Sequence, residues 1–310
     1  MEQQNQEQQL EQNQEQLEQM DTSTDMVDRN VNSYFYIKVL GQGSFGQVWK
    51  ARIISTGQII ALKIIDLNKI PVEQKQSYLD LIHEEIDSLE KISFGGCHPF
   101  LACYYLHHYD AIENKYLIEM EYIEGDTLDV WRNKFLYEKR NFDLLNQNLL
   151  HLLADLSIAL NFIHEKRIIH RDIKPGNILI TKDGVPKLID FGLSCMAKNS
   201  CAVNQRNCCI GNGGSPFYMA PETISYSNNY FATDIWSLGA TIFEMAAGAL
   251  CFDFSNTKDI SSVVKIIVTT LPYKLQTNNT KLNFTVNGCL IHDYRQRITS
   301  NQILDVINRQ

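Results

Sequence analysis

The chain has 310 residues, 44% of them hydrophobic and 21% charged, enough to bury a full core in one large domain or two lobes rather than a string of small modules. Its net charge of −8 is unevenly placed: eight acids between Glu2 and Asp28, against Arg29, leave −7 in the first 30 residues and a near-neutral body. Such a body offers no global basic field for a nucleic-acid backbone, so nucleic acid is not the expected partner.

The N-terminus lacks a charged–apolar–small leader, and eight cysteines in that setting predict reduced thiols and an intracellular chain, cytoplasmic or nuclear. Glu2 after Met1 excludes N-myristoylation, which needs glycine there. The apolar stretch from Phe231 to Phe252 contains Asp234 and Glu244, which predicts a buried core helix rather than a bilayer span, so no membrane partner is expected.

Residues 1–32 are dominated by Gln, Glu and Asn and read as a disordered acidic tail, because they supply too little apolar surface to offset chain entropy. Leu10, Leu17 and Met20 are spaced like a coiled-coil seam, but over too short a run to define one. From Ser33 the pattern changes. Runs rich in β-branched and aromatic residues, Tyr34 to Leu40, Gln47 to Ile53 and Ile59 to Ile65, predict three antiparallel strands. Leu81, Ile82, Ile86 and Leu89 lie at helical spacing and predict a helix over Ser77 to Ile92; strands follow at Leu101 to Tyr109 and Tyr116 to Tyr122. After Gly125 the chain turns helical, most plainly at Leu144 to His164 and again from Thr233, with short strands at Ile178 to Ile180 and Lys187 to Ile189. The expected class is α+β: a small lobe over 33–123, with five antiparallel strands and one helix, and a mainly helical lobe over 124–310. A cleft between them is a preferred place for a ligand.

The first chemical signal is Gly41-Gln42-Gly43-Ser44-Phe45-Gly46, a turn between two strands where missing Cβ atoms let backbone N–H groups approach phosphate oxygens. A dinucleotide fingerprint would need a helix next, and Val48 to Ile53 reads as strand instead. Lys63 in the apolar strand after it requires an anionic partner if it points inward. Glu85 on the following helix can supply one; Glu84 points about 100° away around the helix.

Ile169-His170-Arg171-Asp172-Ile173-Lys174-Pro175-Gly176-Asn177, then Asp190-Phe191-Gly192, then Ala220-Pro221-Glu222, complete an ordered set. With these the chain resembles the eukaryotic-type protein kinases of the serine/threonine branch over Tyr34 to about Ile307. The resemblance implies ATP and Mg²⁺ as cofactors and protein substrates as acceptors. It would place Gly41, Gln42, Gly43, Ser44, Phe45 and Gly46 over the phosphates, with Val48, Ala61 and Leu179 around the adenine. Met120 would be the gatekeeper, with the Glu121 to Ile123 backbone along the adenine edge. Lys63, paired with Glu85, would hold the α- and β-phosphates; Asn177 and Asp190 would bind metal; Asp172 and Lys174 would serve the transfer itself. Glu222 would pair with Arg297, and Asp234 would anchor the catalytic loop.

The same resemblance puts Ser215 where a hydroxyl reaches the catalytic Asp and Lys, and Leu193 where relatives that prefer serine over threonine carry it. Gly176 and Thr127 stand where arginine-directed relatives tend to carry acids, which argues against strongly basic substrates. Loss of a catalytic group would mark the rival reading, an ATP-binding pseudokinase scaffold, yet Lys63, Asp172, Asn177 and Asp190 are all present. One departure concerns the stretch between Asp190 and Glu222. It has no threonine, and Gly211 occupies the place where many relatives carry a phosphorylatable residue, which predicts activity without loop phosphorylation. Cys195, Cys201, Cys208 and Cys209 in that stretch lack zinc-site spacing and are expected as plain thiols.

Overall fold

The structure, a computed structural model, describes residues 33–43, 46–201, 206–211 and 214–309, without the side chains of 198–201, 206–208 and 210. The expectations for residues 1–32, Ser44 and Phe45 lie outside the described residues. β1 (Tyr34–Gln42), β2 (Gly46–Ile53), β3 (Ile59–Asp66), β4 (Tyr104–Asp110) and β5 (Lys115–Glu121) form an antiparallel sheet in the order β1-β2-β3-β5-β4. Between β3 and β4 runs α1 (Lys75–Ser93), which buries Ile82, Glu85, Ile86, Leu89 and Ile92 along one face. The sequence expectations for these elements hold to within a few residues.

Register explains how the sheet makes a wall. Val48 lies opposite Lys63, and Ala61 opposite Met120; directly paired residues share a sheet face, and alternate residues of one strand do too. These four therefore project to one side. Ile60 and Leu62, one residue out of phase, are buried on the other side with Ala51, Ile53 and Leu117. A Cβ on residue 46 would come within 2.3 Å of the Ile64 carbonyl oxygen, so glycine is required where β2 meets β3.

The predicted strand from Leu101 begins later than expected. Leu101 bridges in parallel to Leu188, and the N–H of Ala102 donates to the carbonyl of Leu188 at 3.0 Å, so 101–102 tie the sheet to the second lobe before β4 starts at Tyr104.

The second lobe begins with β6 (Gly125–Thr127) and α2 (Leu128–Lys139), and is built around α3 (Phe142–Glu165). Asn141 caps α3 by accepting from the Leu144 N–H at 2.9 Å. Leu145, Leu149, Leu152, Leu153, Leu156, Leu160 and Ile163 then follow at three- and four-residue spacing, all buried. β7 (Ile168–Ile169), β8 (Ile178–Thr181) and β9 (Pro186–Leu188) flank the motif-bearing loops, and β6 pairs with β8. β10 (Cys195–Met196), β11 (Lys198–Cys201) and β12 (Arg206–Ile210) follow, then α4 (Pro221–Tyr226) and β13 (Asn228–Asn229). α5 (Phe231–Ala247) is buried along most of its length, as its composition requires; α6 (Ile260–Thr269), α7 (Thr280–Cys289) and α8 (Ser300–Asn308) complete the lobe. One hydrophobic cluster runs from Ile65 and Leu89 through Leu101 and Leu188 to Ile303, joining both lobes. The fold is that of a two-lobed protein kinase.

The thiol expectation is corrected. Cys97 is bonded to Cys103, with Cα atoms 5.2 Å apart, and Cys195 to Cys209, 6.3 Å apart, both within the span a disulfide needs. Cys251 and Cys289 are buried free thiols, and burial raises the pKa of each to about 12, which leaves them inert. Among the described residues no helix is long and apolar enough to cross a membrane.

Candidate active site

Between the lobes lies a cleft of about 890 Å³. Gly41, Gln42, Gly43 and Gly46 line its edge, and Val48, Ala61, Met120 and Leu179 its apolar walls. Glu121 and Ile123 border its back, and Lys63, Glu85, Asn177 and Asp190 line its polar end. Every described residue proposed from the sequence for nucleotide or metal contact thus reaches one cavity. Asp172 and Lys174 sit just beyond it, bonded to Asn177 and to each other.

At the polar end, Lys63 Nζ donates to both carboxylate oxygens of Glu85, at 2.6 and 2.8 Å, and lies 3.8 Å from Asp190. Burial works against a charged Lys63, yet Glu85 and Asp190 outweigh it and hold its pKa above the ordinary lysine value. Glu85 is 4% exposed, so the pair is internal, and α1 delivers it because the other buried residues of its face lock the helix against the core. Burial opposes ionisation of Asp190 too. Lys63, the Gly192 N–H, His170 and Lys174 nonetheless keep its carboxyl below the usual aspartate range, so it is an anion at neutral pH.

Asp172 forms the floor. Lys174 Nζ donates to its Oδ2 at 2.7 Å, and Asn177 Nδ2 donates to Oδ2 and to its backbone carbonyl, each at 2.8 Å. Ser215 donates to Asp172 Oδ1 at 2.9 Å and accepts from Lys174 at 2.9 Å, so its hydroxyl marks how closely an alcohol can approach these groups. Since Asn177 spends its amide N–H on Asp172, its carbonyl oxygen remains for a cation beside Asp190. Two oxygen donors at the polar end of the cleft suit Mg²⁺, a hard cation that takes oxygen ligands and keeps several waters.

Asp234 positions this floor. It is fully buried and accepts from the backbone N–H groups of His170 and Arg171, both at 2.9 Å, with His164 Nε2 also 2.9 Å away. Burial disfavours its charge, but His164, His170 and these N–H groups hold its carboxyl below the usual range. Arg171 and Asp190 both adopt left-handed backbone, with φ of 68° and 62°. That conformation is uncommon for residues other than glycine, and here it falls on one residue in each of the two motif-bearing loops. Farther down, Arg297 donates to Glu222 at 2.7 and 3.0 Å, an ion pair almost wholly buried.

Sequence reasoning missed two supports. Lys187 donates to the Glu121 side chain at 2.8 Å, and the Glu121 N–H donates to the Cys103 carbonyl at 2.8 Å, which ties that carboxylate behind the cleft and leaves only its backbone carbonyl for a ligand. The other is the Cys195–Cys209 bridge, for which spacing gave no signal.

The family model of the protein kinase domain matches residues 34–306. The chain is 32% identical over 302 residues to the MAP kinase kinase MKK1/SSP32 of Saccharomyces cerevisiae, covering 91% of this chain and 55% of that protein. It is 36% identical over 226 residues to the serine/threonine-protein kinase sid1 of Schizosaccharomyces pombe, covering 72% of this chain and 43% of that one. Against Misshapen-like kinase 1 of Rattus norvegicus it is 32% identical over 282 residues, 86% of this chain and 19% of the relative. The chain thus spans about half or less of the length of these relatives. With the match running from the first strand to the last helix, around a cleft built from the expected residues, the chain belongs to the protein kinase family.

Proposed function

We propose that the protein transfers the γ-phosphoryl group of ATP to serine, and less readily to threonine, hydroxyls of protein substrates. The observation that carries this reading is convergence: Lys63, Glu85 and Asp190 meet at the polar end of the cleft, directly beside the Asp172, Lys174 and Asn177 cluster. A scaffold that only bound ATP would have no need of both halves. Lys63 would hold the α- and β-phosphates, with Glu85 fixing its position. Asp172 would orient the acceptor hydroxyl and take its proton, and Lys174 would stabilise negative charge on the group in flight. Magnesium held by Asn177 and Asp190 would supply charge neutralisation at the β- and γ-phosphates. Transfer would then rest on positioning and electrostatics, without a covalent enzyme intermediate.

Leu193 beside the cleft supports the serine preference, and Gly176 and Thr127, neither of them acidic, support the lack of a strongly basic motif. Residues 1–32 are an appendage to a kinase domain over 33–310. Peptide libraries with serine, threonine or tyrosine as fixed acceptor test the reading. The expected order is serine, then threonine, with no transfer to tyrosine. Absence of transfer by folded protein that binds ATP would favour the pseudokinase scaffold.

A further inference from the structure

In the segment between Asp190 and Glu222, Gly211 stands at the place where the resemblance would put a phosphorylatable residue, with Ser194 and Ser200 as poorer candidates, and a disulfide joins Cys195 to Cys209 in the same neighbourhood. Cys195 opens β10, whose partner β7 leads into the catalytic loop: Cys195 pairs with Ile169, the residue before His170. Cys209 lies in β12, whose partner β13 leads into α5: Cys209 pairs with Asn229. The bridge therefore joins the start of the segment, anchored on the catalytic loop, to the part that precedes Ser215. Around it, Ile169, Cys195, Ala197 and Cys209 form a small buried cluster of their own, with Phe231 packed against it.

Just past the bridge the backbone runs hard against Arg171. A Cβ on residue 211 would come within 3.3 Å of the Arg171 Nη1, and one on residue 214 within 2.5 Å of its carbonyl oxygen. Gly211 is held by its own backbone: its N–H donates to the Ser227 carbonyl and its carbonyl accepts from Asn229 Nδ2, both at 2.9 Å. Arg171 Nε in turn donates to the Leu193 carbonyl. Beyond these contacts Ser215 meets Asp172 and Lys174.

We propose that the Cys195–Cys209 bridge is a redox site that replaces loop phosphorylation: the bridged form is competent for transfer and the dithiol form is not. The proposal rests on the kinase reading of the cleft. The co-reactant is a small-molecule disulfide. One protein thiolate attacks it and releases one small thiol, leaving a mixed disulfide; the second thiolate attacks the protein sulfur of that mixed disulfide and releases the other thiol. Two electrons pass from the protein sulfurs to the reagent, and the two thiol protons end on the two released thiols. Both cysteines are buried, 3% and 7% exposed, so exchange requires that these two sulfurs first become accessible. A link with a sequence separation of 14 disfavours the open chain by roughly 10²-fold on loop-closure grounds.

The test equilibrates the full chain in oxidised and reduced glutathione over a range of ratios, then measures transfer to a serine peptide and maps disulfides by mass spectrometry without reduction. The expected result is at least a ~10-fold fall in transfer on reduction, at the same midpoint as loss of the Cys195–Cys209 peptide. ATP affinity should be unchanged. Cys195→Ala and Cys209→Ala, which keep the Cys97–Cys103 pair, should sit at the low level and ignore the glutathione ratio. Full activity in completely reduced wild type, redox sensitivity persisting in Cys195→Ala, or an active oxidised form with Cys195 unlinked would each overturn the proposal. If neither form transfers phosphate, the kinase reading fails and hydrogen exchange over residues 206–214 decides the bridge separately: faster exchange after reduction supports it, unchanged exchange overturns it.

Discussion

The nucleotide cleft and the segment leading to Ser215 are neighbours held together in different ways. Cleft residues come from short, contiguous motifs, each carried on a strand, a helix or a tight turn that dictates where its side chain points: Lys63 by alternation along β3, Glu85 by the buried face of α1. Between Leu193 and Ser215, order comes instead from two-residue strand pairings, backbone contacts to Arg171 and a disulfide between positions 14 apart. Chemistry is encoded locally in the first region. In the second it depends on distant parts of the chain meeting in register.

The strongest way to break the segment is at its far end. Replacing Arg297 with alanine leaves Glu222 charged and buried without its partner, and about 3–5 kcal/mol of unfolding free energy should be lost. Denaturant unfolding checks this, and a loss under 1 kcal/mol would mean the pair is dispensable. In the cleft, Lys63→Met should reduce transfer by at least ~10²-fold in a protein that still folds, with some loss of stability because the buried Glu85 loses its cation. Near-normal transfer would remove Lys63 from the phosphate site.

Asp234 joins the two regions, and its depressed pKa gives a signed expectation. A carboxyl whose folded pKa lies below its unfolded value of about 3.9 contributes stability that is fully present above that value and lost as pH falls through the folded pKa. The part of the stability gap between wild type and Asp234→Asn that comes from this carboxylate should therefore persist down to about pH 4 and be lost below that. A gap that closes between pH 7 and 5 would contradict the depressed pKa. The smallest effect should come from deleting residues 1–30, whose composition offers nothing to a core; the thermal midpoint should not move. A clear drop would show that the acidic tail packs on the domain.

Legibility followed the same division. The five antiparallel strands and the helix bearing Glu85 were readable because alternation and helical spacing act within a few residues, whereas the nucleotide and metal contacts were implied by the resemblance to a family rather than by any local pattern. Leu101 and Ala102 were read as strand because they are apolar, but the Ala102 N–H donates to the Leu188 carbonyl in the other lobe and the Leu188 N–H to the Phe100 carbonyl, which no local pattern reveals. The cysteines were read as thiols for a related reason. Cys195 and Cys209 meet only after β10 pairs with β7 and β12 with β13, and no spacing rule encodes those partners.

The central claim is that this cleft transfers phosphate, and the most direct test compares wild type with Asp172→Asn for radiolabelled transfer from γ-labelled ATP to a degenerate serine peptide library. The variant keeps the backbone carbonyl to which Asn177 donates, so it should fold and bind ATP normally while transfer falls by at least ~10²-fold. Equal transfer by the two proteins would contradict the assignment of Asp172 and the mechanism built on it.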